Sequence, residues 1–332
     1  MNRHLGPRCA AVLLLALTTL TTACSGSTAG VNPAADALPQ ISRSAPAASK
    51  VSGTVRGVPL VPAQGALLGH FYGSGTMAAT DARIGRKPAV HLTYYDWSDD
   101  WTGSSSTTRA DLAEGRVPLV NWEPDNIDFD KIISGALDST ISKRADGAKA
   151  LGKLFFLDFA AEMNEGEGWG GHRPSKYIAA YRHIHDVFVA RGATNVVWAW
   201  CPNVTDSEGA PSMMSYYPGD QYVDWTGVDG YNWGTSDPDF TWQSFKDTFS
   251  ATYAKLAAKG KPVIIAETAS DEVGGSKAAW IAGIVSALKT KFPLIKAVVW
   301  FDVDKERHWQ INSSASSLTA YQRMAKDPYF NP

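Results

Sequence analysis

The chain has 332 residues, 44% hydrophobic and 19% charged, which suits one large folded domain or two ordinary ones and excludes a disordered chain. A formal net charge of −2 gives no basis for nucleic acid or an anionic membrane surface as a partner. The 12 Trp and 12 Tyr would fill a large core. They are also what a sugar-binding cleft needs, because the faces of a pyranose ring carry apolar C–H groups that stack on aromatic rings.

The N-terminus reads as an address. Arg3 and Arg8 precede an apolar run from Ala10 to Leu20, too short to span a bilayer and of the length of a signal-peptide core. Leu20-Thr21-Thr22-Ala23-Cys24 then resembles the bacterial lipobox, whose cysteine becomes the lipidated first residue after cleavage. Residues 1–24 are therefore expected to be a lipoprotein signal, with Cys24 anchoring an exported protein to the outer face of the cell membrane. Plain secretion is the alternative. Residues 25–62, rich in Ser, Ala, Gly, Thr and Pro, read as a flexible tether to a domain at 63–332. Of three cysteines only Cys201 remains in that domain, so no disulfide is expected, and Cys201 reads as a small buried residue.

From Gly65 onward, apolar strand-like runs alternate with helical stretches, the pattern of a parallel α/β fold. Eight strands are predicted at Leu67–Tyr72, Ala89–Tyr94, Val117–Trp122, Leu154–Ala161, Asn195–Cys201, Val223–Tyr231, Pro262–Glu267 and Ala297–Asp302. Tyr177, Tyr181, Ile184 and Phe188 mark the face of one helix, which Gly192 closes. Phe245, Phe249, Tyr253 and Leu256 mark a second. Trp280, Ile284 and Leu288 mark a third, with Ser276 as its N-cap. Eight strands in a domain of this size predict a (β/α)8 TIM barrel. A doubly wound open sheet is the alternative, but no nucleotide fingerprint or P-loop accompanies it.

Barrel enzymes place their chemistry at the C-terminal ends of strands. There the sequence offers Glu162 after the fourth strand and Glu267 after the seventh, with tryptophans, asparagines and a tyrosine around them. Strands four and seven lie nearly across a barrel from each other. Two such carboxyls suit cleavage of a glycosidic bond, one protonating the leaving oxygen and the other attacking the anomeric carbon. Their spacing would decide the outcome, about 5–5.5 Å for retention and roughly 6.5–9.5 Å for inversion. Glu123 and Asp302 at strand ends compete for the role. So, more weakly, do Glu165, Glu167, Asp271 and Glu272 in loops. No metal site or cofactor is expected, since His183 and His185 lie on different sides of a helix with no ligand cluster.

These segments together resemble glycoside hydrolase family 26, the β-mannanase family. Ala161-Glu162-Met163-Asn164 with Trp169-Gly170-Gly171 is similar to its acid/base strand. Val223-Asp224-Trp225-Thr226-Gly227-Val228-Asp229-Gly230-Tyr231-Asn232 is similar to its sixth strand, and Lys261-Pro262-Val263-Ile264-Ile265-Ala266-Glu267 to its nucleophile strand. Val299-Trp300-Phe301 and Trp309-Gln310-Ile311-Asn312-Ser313-Ser314 resemble its last strand and loop. The resemblance implies a retaining mechanism with Glu162 as acid/base and Glu267 as nucleophile. It implies that Tyr231 orients Glu267, that Trp300 floors the site, and that Trp169 walls it near the acid. Trp200 and Asp229 join the expected substrate-binding set, and Asp224 is expected to be structural.

Two positions depart from the family pattern: Ala161 stands where His is usual, and Asp158 where Arg is usual. An inward Asp158 must be paired, protonated or hydrated, and His70 and His91 are its expected partners. The function expected is endo-acting hydrolysis of β-1,4-mannan outside the cell by a monomer whose partner is polysaccharide. The alternatives are mixed-linkage β-glucan or β-xylan as substrate, or a non-catalytic glycan-binding protein.

Overall fold

The eight apolar runs have no polar face because each is covered on both sides, as in a barrel ringed by helices. A computed structural model describes residues 57–73, 75–165, 169 and 171–330. The signal, Cys24 and the tether up to residue 56 lie outside the described residues, as does Glu167. The strands are β1 Leu67–Phe71, β2 Val90–Asp96, β3 Val117–Glu123, β4 Phe155–Phe159, β5 Val196–Trp200, β6 Trp225–Asn232, β7 Val263–Ser270 and β8 Ile295–Phe301. All are parallel, in sequence order, and β8 closes on β1. The helices are α1 Met77–Ile84, α2 Thr107–Ala113, α3 Phe129–Ile133, α4 Asp138–Leu151, α5 Pro174–Arg191, α6 Phe245–Ala257, α7 Lys277–Thr290 and α8 Ala315–Ala325.

Local chemistry sets the helix ends as the sequence predicts. Ser276 accepts from the Ala279 N–H to cap α7, and Gly192 ends α5 in the left-handed conformation with φ 76°. Ser244 and Ser314 cap α6 and α8 in the same way as Ser276. Each such cap is worth about 1 kcal/mol.

Two apolar layers follow from strand alternation. Val90, Leu92, Leu119, Phe156, Val197, Ala199, Cys201, Ile264, Ala297 and Val299 fill the barrel. Leu68, Val120, Leu157, Trp198, Trp200, Val298 and Trp300 point outward to the helices. Inside, Gly227 on β6 leaves room for Cys201, since a Cβ there would lie 2.3 Å from the Cys201 sulfur. At the lower end, Val58, Leu60 and Val61 pack against the inner layer, and the Trp225 indole donates to Pro59 O at 2.9 Å. Residues 58–61, expected in the tether, are thus part of the domain. They cover apolar side chains that the open bottom of the barrel would expose.

Candidate active site

The two glutamates reach the barrel mouth by different backbone devices. On β7, Val228 of β6 pairs with Ile265 but Asp229 pairs with Glu267, so Ala266 is one residue extra. The same offset appears against β8, where Ile265 pairs with Val298 and Thr268 with Trp300. Strict alternation from the inward Ile264 and Ala266 would turn Glu267 out to the helices. The bulge rephases the strand and delivers the carboxyl inward. On β4 the regular strand stops at Phe159, short of the predicted Ala161. Ala160 and Glu162 then both adopt φ 55°, a left-handed conformation that costs energy without a glycine and recurs at functional sites. The Glu162 N–H donates to Cys201 O at 2.8 Å, which ties this kink to the end of β5.

Glu267 is buried and accepts two phenolic hydrogen bonds. Tyr231 donates to Oε2 at 2.5 Å, and Tyr94 on β2 donates to Oε1. Glu162 accepts from the Asn203 amide at 2.8 Å, and the same amide reaches Glu165 Oε1 at 3.2 Å. Asn164, fully buried, locks this arrangement. Its amide donates to Asn203 O, Thr205 O and Asp206, and its carbonyl accepts from the Asn203 N–H at 2.8 Å.

These surroundings separate the two carboxyls. Burial pushes the Glu162 pKa well above the usual range, and the charges of Glu165 and Glu267 add to it, against the Asn203 bond. Burial also raises Glu267, and the bonds from Tyr231 and Tyr94 oppose that rise without cancelling it. Both phenols are themselves held protonated, by burial first and then by the Glu267 charge. A Glu162 raised well above the usual range beside a Glu267 whose rise is opposed by two phenolic hydrogen bonds is the kind of separation that an acid and a nucleophile require.

Below them lies a buried polar layer. Asn121 on β3 pairs in register with Asp158 on β4, and both point inward. Burial raises Asp158 to about 7, with the Cys201 thiol bond opposing and the Glu267 charge adding. Burial, then the charges of Glu267 and Glu162, push Asp229 well up. Neither Asp229 oxygen makes a well-formed hydrogen bond, and the Glu267 backbone gives it only a weak polar contact.

Several expected residues stand elsewhere. Trp300 is not the floor. It faces the helix layer, edge-on to Trp280 and Tyr321, with its indole donating to Trp309 O at 2.9 Å. Its neighbour Phe301 is the inward residue, stacked on Phe71 at 5.0 Å and edge-on to Tyr94 and Tyr231. Trp200 likewise faces outward, fully buried against Tyr217. His70 and His91 also point outward and do not reach Asp158. His70 pairs with Asp302 at 3.1 Å, and His91 with Asp111 at 2.9 Å. Trp169 does sit beside the Glu162 kink, donating to Ala161 O at 2.7 Å. Asp224 accepts from the Trp198 N–H at 2.9 Å, a backbone role. Among the competing carboxylates, Asp302 accepts from the Ile311 N–H, and Glu272 from Ser313 and Ser317. Glu123 gathers with Asp96 and Asp125, their oxygens within 4.8 Å of one another. Tyr94 is absent from the site residues expected from sequence, while Asn203, one of the asparagines expected after the strands, supplies the bond to Glu162. Both stand at predicted strand ends, which was the available signal.

The description "Glycosyl hydrolase family 26" matches residues 139–327, more than half of the chain and both glutamates. The chain belongs to glycosyl hydrolase family 26. Among similar proteins, "Endoglucanase H" of Acetivibrio thermocellus is 39% identical over 256 residues, 75% of this chain. A "Mannan endo-1,4-beta-mannosidase" of Bacillus subtilis (strain 168) is 26% identical over 218 residues, 61% of this chain. The chain spans 28% of the length of the first and 54% of the second. A solved Cellulomonas fimi endo-beta-1,4-mannanase double mutant shares the fold, with a TM-score of 0.60 at 19% identity over 80% of this chain and 71% of that one. The matched segment, residues 139–327, carries both Glu162 and Glu267 within that family's domain.

Proposed function

We propose that the protein is a retaining, endo-acting hydrolase of a β-linked polysaccharide. The observation that carries this is Glu267, held by hydrogen bonds from two phenols, with Glu162 at the same barrel mouth and raised well above the usual carboxyl range. Glu162 gives its proton to the leaving glycosidic oxygen while Glu267 attacks the anomeric carbon and forms a glycosyl-enzyme bond. Glu162, now ionised, then takes a proton from water, and that water displaces Glu267. Mannan is the first substrate reading, because mannanases recur among the relatives. A β-glucan, mixed-linkage included, is the second. It is favoured by the 39% identity to a relative named an endoglucanase, against 26% for the Bacillus subtilis mannanase. We further propose export and anchoring through Cys24.

Reducing-sugar release from mannan, mixed-linkage glucan and xylan tests the reading, with Glu267→Ala as control. The variant should lose hydrolysis, and added azide should restore it as a glycosyl azide of inverted configuration. Full activity in Glu267→Ala would sink the assignment. For the anchor, Cys24→Ala should release the protein from the membrane fraction. A variant still held there argues against lipidation.

A further inference from the structure

The loops after β6 and β7 hold two of the large apolar side chains exposed among the described residues, Phe240 at 37% and Val273 at 48%. Phe240 stacks on Trp233 with ring centroids 5.0 Å apart and planes 20° from parallel. Trp233 lies 6.0 Å from Tyr231, the residue that holds the nucleophile, and edge-on to Trp309 at 5.2 Å. Tyr231, Trp233 and Phe240 thus form an aromatic row leading away from Glu267, and its outermost ring is open to solvent. The Arg307 guanidinium sits 5.4 Å from the Trp233 ring and is held by Asp237 and Asp271.

The row stands on a fixed support. Asn232 accepts from the Gln243 N–H at 2.9 Å and donates to Ser270 at 2.8 Å, pinning both ends of the β6 loop. The Thr235 N–H donates to Val273 O at 3.1 Å, and Ser236 to Asp271 at 2.6 Å. Trp242 lies on Gly275, where a Cβ would come within 2.3 Å of the indole. A loop so braced loses little entropy when it binds, and an exposed aromatic ring kept on such a loop has a use.

We propose that Phe240, backed by Trp233, is a distal sugar platform that stacks on one pyranose of the polysaccharide chain beyond the rings at the cleavage point. This rests on the polysaccharide reading above. One ring and one valine are far too little for a protein partner, which needs about 800 Å² on each side. They match one sugar face, and the row continues into the site itself. Binding energy gained there, away from the reacting bond, is available to position the chain over Glu162 and Glu267.

The test compares kcat/KM on mannan and mixed-linkage glucan with that on an aryl β-disaccharide too short to reach the platform. In Phe240→Ala the ratio of polymer to aryl substrate should fall about tenfold, the order expected from uncovering one face of an aromatic ring. Phe240→Trp should restore it, which a merely structural role would not produce. Retardation of the protein in gels containing each polysaccharide should weaken in parallel. A wild type that releases sugar from neither polymer sinks the hydrolase reading, while the gels still report on the platform. An unchanged ratio and unchanged retardation in Phe240→Ala overturn the platform.

Discussion

Asp158 can be weighed by replacing it with asparagine, which keeps its shape and removes its charge. The carboxyl is 2% exposed, faces into the barrel, and leaves Oδ1 without a partner. Its pKa stands at about 7 against an ordinary 3.8. A carboxyl raised on folding binds its proton more tightly in the native state. Its contribution to stability is therefore fully present below the unfolded pKa, and it is lost as pH rises through about 7. The gap corresponds to about 4 kcal/mol above that pH. Asp158→Asn escapes this cost, and its amide supplies a donor beside Asn121, whose buried Oδ1 has no partner. Urea unfolding should give near-equal stabilities for the two proteins at pH 4. At pH 8 the variant should be more stable by about 4 kcal/mol, or about 8 °C in Tm. A difference that stays constant from pH 4 to pH 8 would show that Asp158 does not titrate in the folded barrel.

Three further predictions follow from the site. Glu162→Ala should keep activity on substrates with good leaving groups and lose it on polysaccharide, since only the latter need a proton; equal losses on both would count against the acid role. Tyr94→Phe removes one of two bonds that lower the Glu267 pKa against the effect of burial. Its acidic pH limb should move to higher pH and kcat/KM fall by about tenfold or more, and an unmoved limb would deny Tyr94 that part. Trp300→Phe should cost about 2 kcal/mol in unfolding and leave KM on polysaccharide unchanged, whereas a raised KM with intact stability would put the indole back in the cleft.

The eight strands, the caps at Ser276 and Gly192, and the positions of Glu162, Glu267 and Tyr231 were legible because they rest on local pattern. Apolar runs mark buried strands, and polar groups after them mark the mouth. What stayed hidden was facing. Strands covered on both sides are apolar on both, so nothing local separates Trp200 and Trp300, which look outward, from Phe301, which packs on Phe71, Tyr94 and Tyr231 at the mouth. His70 and His91 misled for the same reason. The hydrogen bonds of Tyr94 and Asn203 depend on register around a closed sheet, which no single segment carries.

The extra residue on β7 places Glu267 by number rather than by identity. Deleting Ala266 would change no functional group, yet it would swing every side chain from Glu267 onward to the opposite face of the sheet. Attempts to move this chemistry onto another barrel, or to repack β7 for stability, must therefore copy the spacing of the strand as faithfully as its residues. The position of the Glu267 carboxyl at the barrel mouth thus depends on a silent alanine as much as on the glutamate that follows it.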